Sequence, residues 1–190
     1  MLRKEHLTDE GLRNVVSIRA VMNNGLSNEQ SEYFTDLTLV ERPEVEVKTV
    51  DDPNWIVGFV DGEGSFIIHI AKTPGVSTGH SVSLRFTITQ HVKDQKLLES
   101  LAKYFDFGWL MVHSNRPLVY FNVSKLSDIC KINSFFLKYP LESEKSKNFK
   151  DFVEATSLIE SKSHLTLEGL EQLRSIKLNM NRGREYSGTE

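Results

Sequence analysis

A chain of 190 residues with 39% hydrophobic side chains has room for one domain of ordinary size plus an extension, and its core is large enough to need no covalent staples. One cysteine, Cys130, excludes an internal disulfide framework and suits a reducing compartment; no run of about 18 apolar residues is present, which excludes a membrane-spanning helix. Lys and Arg number 23 against 26 Asp and Glu, so the net charge is 23 − 26 = −3, whereas proteins that grip a long duplex usually carry a basic excess, although a local basic face is compatible with an acidic whole.

The first ten residues carry acidic groups and no apolar centre, matching neither a secretory signal nor a transit peptide. Residues 5–25 are expected to form an amphipathic helix. Thr8 is its N-cap, Leu12, Val15, Val16, Ile18 and Val21 or Met22 form one apolar stripe, and Gly25 stops it. Residues 26–52 are polar and acidic and read as a linker, with room for a short extended piece in the alternating stretch 45–50. The cluster Asp51-Asp52-Pro53-Asn54 is a natural helix start.

The helix that follows, Trp55 to Gly64, is apolar and carries Gly58 one turn before Gly62. Two such helices could approach backbone to backbone at those glycines. Trp55, Phe59, Gly58 and Gly62 are therefore the expected subunit contact, and Asp61 and Glu63 stand at the helix end. From Ser65 the period changes to two: Phe66, Ile68 and Ile70 alternate with Ser65, Ile67, His69 and Ala71, and after a turn Val82, Leu84, Phe86 and Ile88 alternate with Ser81, Ser83, Arg85, Thr87 and Thr89. This predicts a hairpin with one buried and one open face. A helix over 93–104, a second hairpin over 109–113 and 118–124, and helices over 127–138 and 145–159 follow.

The closing stretch repeats the opening one. His6 to Gly25 matches His164 to Gly183 at an offset of 158 positions, with 11 identities in 20 and no gap. Duplication is the reading, because helix propensity alone would not place His, Thr, Gly, Ser and Asn in the same register. Residues 1–25 are then expected to be the end of a lost first repeat, 26–52 a linker, 53–183 the main domain and 184–190 a tail.

The string Ile56-Val57-Gly58-Phe59-Val60-Asp61-Gly62-Glu63-Gly64 resembles the signature of LAGLIDADG homing endonucleases, and the order αββαββα followed by further helices resembles one half of that fold. The resemblance implies an α+β domain with a curved four-stranded antiparallel sheet. It also implies a divalent-metal-dependent, site-specific DNA endonuclease in which Glu63 holds the metal, Mg2+ if the chain is catalytic. Gln90 would order a water and Lys145 would supply positive charge, while Asp61 would brace the helix ends. His69, His91 and His113 lack zinc spacing.

One half supplies one Glu63, so a second LAGLIDADG half is expected, either a second copy or a separately made first half. The open face would meet nucleic acid through Ser65, His69, Lys72, Ser81, Ser83, Arg85, Thr87, Thr89, His113, Arg116, Asn122 and Ser124. Only Arg85 brings a full charge to its middle, and Ile67, Trp109, Met111, Leu118 and Tyr120 make it partly apolar. That combination keeps a rival reading open: a catalytically retired derivative that binds structured RNA as an intron maturase or a subunit of an organellar ribonucleoprotein. A third reading is a protein-interaction module. The family resemblance implies a mitochondrial or other organellar setting.

Overall fold

The computed structural model describes residues 4–22, 25–41 and 49–180, and the chain forms two compact units, Met1–Glu46 and Val47–Glu190. Most of the extended piece expected at 45–50, and the tail at 184–190, lie outside the described residues.

The first unit is built on α1 (Asp9–Ala20), which is shorter than the helix expected over 5–25. Thr8 explains the difference at the front: its hydroxyl accepts the Gly11 N–H at 3.1 Å, which makes it the N-cap and leaves Glu5–Leu7 as a separate 3-10 turn. At the rear, Gly25 sits in left-handed conformation at φ 73°, beyond a turn rather than a helical end. Ser27 opens α2 (Asn28–Tyr33) with a reciprocal capping box to Gln30. The segment after α2 lies along one side of α1, where Arg13 bonds Asp36 at 2.8 Å and Ser17 donates to the Thr38 carbonyl at 2.6 Å. The apolar stripe is left open, with Leu12 43%, Val15 44%, Ile18 49% and Met22 48% exposed.

The second unit follows the expected order. It contains α3 (Pro53–Glu63), β1 (Gly64–Lys72), β2 (His80–His91), α4 (Gln95–Phe105), β3 (Trp109–Val112), β4 (Leu118–Val123), α5 (Leu126–Lys138), α6 (Lys145–Glu160) and α7 (Leu167–Asn179). The strands form one antiparallel sheet in the order β1-β2-β4-β3. Alternation places Phe66, Ile68, Leu84, Phe86, Ile88, Val119, Phe121 and Val123 on one face, all buried against Ile56 and Val60 of α3, Leu98 and Leu101 of α4, and the apolar sides of α5, α6 and α7. Phe66 is the hub of an aromatic cluster, with the rings of Phe86, Phe136, Phe149 and Phe152 centred 5.3, 6.0, 5.3 and 5.2 Å away. A polar link runs through the helical layer: Asn133 donates to Thr156 at 3.0 Å and Thr156 donates to the Phe152 carbonyl at 2.8 Å, while the buried Asn133 Oδ1 is left without a partner among the described residues.

The repeat seen in the sequence is a repeat in backbone. Lys4 and Lys162 both adopt left-handed conformation, at φ 56° and 61°, and each precedes a 3-10 turn. Thr8 and Thr166 cap with φ −95° and −102°, and each hydroxyl accepts a glycine N–H at 3.1 Å. A Cβ on Gly11 would enter the Glu5 carbonyl, and one on Gly169 would enter the Ser163 carbonyl. The two copies differ in cover. On α7 the equivalent stripe is buried, Leu170 at 2%, Leu173 at 0%, Ile176 at 9% and Met180 at 3% exposed.

Because the clash at position 169 is with backbone, Gly169→Ala must open the turn that precedes α7. Urea unfolding is expected to show a loss of roughly 1–3 kcal/mol; an unchanged midpoint would show that the turn yields freely.

Candidate functional site

The site grows from the end of α3. Asp52 caps the helix by accepting the Asn54 N–H at 2.8 Å, and Pro53 occupies the first turn, where no N–H is needed. One side of the helix is buried through Ile56, Val57 and Val60. The other presents Trp55, stacked on Phe59 with ring centroids 5.0 Å apart, and both Gly58 and Gly62. Gly64 closes the helix and admits no side chain, since a Cβ there would lie 2.6 Å from Val60 Cγ1 and 2.9 Å from its carbonyl oxygen. The chain therefore passes directly from helix to strand, and Glu63 stands exposed at the junction.

A reciprocal clasp joins this helix end to the start of α6. The Asp61 carboxylate accepts the Glu142 N–H at 2.9 Å, the Ser143 N–H at 3.4 Å and the Ser143 hydroxyl at 2.6 Å. In return the Lys145 ammonium donates to the carbonyls of Val60 at 2.8 Å and Gly62 at 3.2 Å. A cation thus sits on the negative end of α3, and an anion meets the loop that opens α6. Asp61 takes the bracing role expected of it. The sequence carried no signal for Ser143 as its partner, 82 positions away.

Gln90 is half-buried near the end of β2. Gly64 pairs with Ile88, which puts Gln90 two residues, roughly 7 Å, beyond the level at which α3 enters β1. Its parity is that of Phe86 and Ile88, and it pairs with the buried Val119. Glu63, Lys145 and Gln90 thus lie toward one end of the sheet, on three different elements.

The open face is less accessible than alternation suggests. Ser65, Thr87, Asn122 and Trp109 form one cross-strand row. Within it Thr87 is 9% and Asn122 3% exposed, so both interior members are withdrawn from direct contact, unlike the expected reading set. His69, Ser81, Ser83, Arg85, Arg116 and Ser124 are exposed, and Ser65, Thr89 and His113 are half-buried. His113 Nδ1 accepts the Asn115 N–H at 3.1 Å and shapes the β3–β4 turn. Lys72 departs from expectation for a simple reason of parity: it follows Ile70 and faces the helical side of the hairpin, where it lines a recess with His80, Arg174 and Lys177. Arg174 was legible only as a departure from the repeat, since the matching position in the first copy is Val16.

Burial pushes the Lys145 ammonium below the ordinary lysine range, and the Asp61 and Glu63 charges act in the opposite direction. With the folded pKa below the unfolded one, the unfolded chain holds the proton more tightly, so stability rises as pH climbs from the folded toward the unfolded value. Unfolding measured across the alkaline range should show this rise in the native chain and a flatter profile in Lys145→Met; identical profiles would remove Lys145 as its source.

Comparison with known proteins agrees with this geometry. Residues 56–156 match the family described as LAGLIDADG endonuclease. The meganuclease I-SmaMI, solved bound to uncleaveable DNA, superposes with a TM-score of 0.91 at 39% identity, over 96% of this chain and 62% of that one. The I-LtrWI LAGLIDADG homing endonuclease bound to target DNA gives 0.90 at 37% identity, over 96% and 61%. The probable intron-encoded endonucleases 2 and 3 of Neurospora crassa are 35% and 38% identical over 188 and 183 residues, which is 93% and 95% of this chain. The chain spans only 40% and 34% of those two relatives. The αββαββα order, the clasped helix end and these likenesses together establish that the chain belongs to the LAGLIDADG endonuclease family.

Proposed function

We propose that this chain is one half of a site-specific, divalent-metal-dependent DNA endonuclease and that a second LAGLIDADG half, outside these residues, completes its site. The observation that carries the reading is the outer face of α3. Glycine inside a helix costs about 1 kcal/mol relative to alanine, yet among the described residues no atom beyond the chain neighbours and the helix's own backbone lies within 4 Å of a Cβ built on Gly58 or Gly62. Nothing in the described chain needs those positions bare. A partner helix packed closer than a Cβ permits would need them so, and an equivalent helix there would bring its own terminal carboxylate beside Glu63.

The donor set fits a shared metal. Glu63 is an exposed hard oxygen donor, suited to a Mg2+-class ion that takes one or two carboxylates plus waters and phosphate oxygens. Among the described residues no three His, Cys, Asp or Glu side chains are grouped to hold an ion without help. The bound ion would supply Lewis-acid stabilisation and an activated water. In this reading Lys145 would steady the charge that develops on the phosphate, and Gln90 would orient a water at the same end of the sheet. The exposed polar residues of the open face would contact DNA, as the solved relatives' own complexes suggest.

The open stripe of α1 says which kind of partner fits. Its residues Leu12, Val15, Ile18 and Met22 correspond at the offset of 158 to Leu170, Leu173, Ile176 and Met180, which are buried in the core of the second unit. By that equivalence α1 closes another core of the same kind. A second copy would bring a core already closed by its own α7, leaving both stripes bare; a first half that uses α1 as its closing helix leaves neither. The relatives' intron-encoded names motivate a mitochondrial or other organellar setting.

A second reading, binding of structured RNA without cleavage, is favoured by Trp109 and Met111, which are 44% and 47% exposed on the open face and suit stacking on unpaired bases.

Light scattering is expected to give 21.7 kDa for the isolated chain, and a stable dimer would overturn the first-half assignment. Under those monomeric conditions Gly58→Ala should raise stability by about 0.5–1 kcal/mol while weakening association with an added first half; lower stability would place an unseen neighbour at Gly58. On duplexes selected by the assembled protein from a random pool, Glu63→Gln should lose Mg2+-dependent cutting and keep its Kd within about twofold. Cutting that survives the substitution removes Glu63 from the metal, and selection of RNA in place of duplex supports the second reading.

A further inference from the structure

The recess between the β1–β2 hairpin and α7 has no role in the proposed cleavage. It is an open recess of about 450 Å3, lined by Ile70, Lys72, His80, Arg174, Lys177 and Leu178. We propose that it is a phosphodiester-binding site that grips the sugar–phosphate backbone of the DNA duplex away from the bases met by the open face. This inference rests on the DNA-binding reading above.

Its cations are placed by the fold. Lys72 and His80 are directly opposite across β1 and β2, and Arg174 and Lys177, three positions apart, share a side of α7. Arg174 Nη2 lies 3.1 Å from His80 Nε2, and His80 Nδ1 lies 3.1 Å from the Thr78 carbonyl oxygen. A guanidinium only donates and a carbonyl only accepts, so the ring carries its proton on Nδ1 and receives Arg174 on Nε2. The guanidinium also pairs with Glu171 through Nη1. It is thus held at two points with donors to spare. The hairpin end is tied down as well, by Ser77 donating to the Leu165 carbonyl at 3.1 Å.

Charge accounting points to an anion from outside. Lys72, Arg174 and Lys177 face one recess, and among the described residues neither Lys72 nor Lys177 forms an ion pair. Gathering like charges in a chain of net charge −3 is unfavourable unless a ligand offsets it. The apolar Ile70 and Leu178, which line the same recess, suit a deoxyribose face beside its phosphate. Because Lys72 has the parity of the core-facing Ile70, the recess opens on the helical side of the sheet. It would therefore engage backbone at the flank of the site, without reading sequence.

The test is a salt series of duplex affinity on the full chain, in its assembled form, with Arg174→Gln/Lys177→Gln compared with native protein and with Lys72→Gln as a second, surface variant. Each lost phosphate contact should lower the slope of log Kd against log salt by about 1. Native protein should bind a duplex extended by flanking base pairs more tightly than a trimmed one, and the double variant should not distinguish them. An unchanged slope with retained flank dependence in folded variants overturns the site, as does a loss confined to structured RNA. Failure of the native assembly to bind any duplex removes the DNA reading itself, a different result from native binding that ignores these substitutions.

Discussion

The clasp between α3 and α6 is the constraint on which the site depends. The last turn of a helix leaves carbonyls without intrahelical partners, and at α3 the Lys145 ammonium satisfies that of Gly62 and adds a second bond to that of Val60, which also accepts the Gly64 N–H. Asp61 answers by holding the loop at 142–143. Two oppositely charged residues therefore fix the helix end against the element that covers the sheet, while the tight exit at Gly64 leaves Glu63 outside the clasp. A carboxylate engaged like Asp61 has little capacity left for a metal; one left out like Glu63 has all of it. The neighbouring acidic residues of one motif thus differ in their hydrogen bonds, not in their intrinsic chemistry.

Glycines in this chain divide by what they answer to. Gly11 and Gly169 are compelled by carbonyls a few residues away, and the same clash at both ends of the chain is why the repeated motif keeps them. A Cβ on Gly58 or Gly62 would meet nothing within 4 Å among the described residues outside the helix's own backbone and the chain neighbours. Their cost in helix stability has no counterpart among the described residues, which is what the proposed helix–helix contact would explain. The α1 stripe reports the same thing in apolar area, since residues buried in one copy of the repeat are open in the other. Under the proposed reading, one further LAGLIDADG half would supply both a helix against Gly58 and Gly62 and a core for α1 to close.

Electrostatics are distributed against the simple picture of one basic reading face. Burial of Thr87 and Asn122 narrows the polar surface available to bases, and the exposed Trp109 and Met111 make its β3 edge apolar. Meanwhile Lys72 turns to the reverse side and joins Arg174 and Lys177. An overall charge of −3 is then less informative than where the cations meet, because exposed charges more than about 10 Å apart are largely screened from one another at physiological salt.

Periodicity and local chemistry were enough to determine the order of elements, the buried face of the sheet and the repeat, because those depend on side-chain spacing and caps only a few residues apart. Thr8 as an N-cap, the alternation from Phe66 to Ile70 and the glycines of α3 are features of this local kind. Helix limits were less legible: α1 ends well before Gly25 because the chain turns at Val21 and Met22. Tertiary structure alone decided that Asp61 is committed to Ser143, that Thr87 and Asn122 are covered, and that Lys72 faces α7. Each of those outcomes depends on which distant segments are brought alongside, and contacts between residues about 35 to 100 positions apart leave no periodic trace in a single sequence.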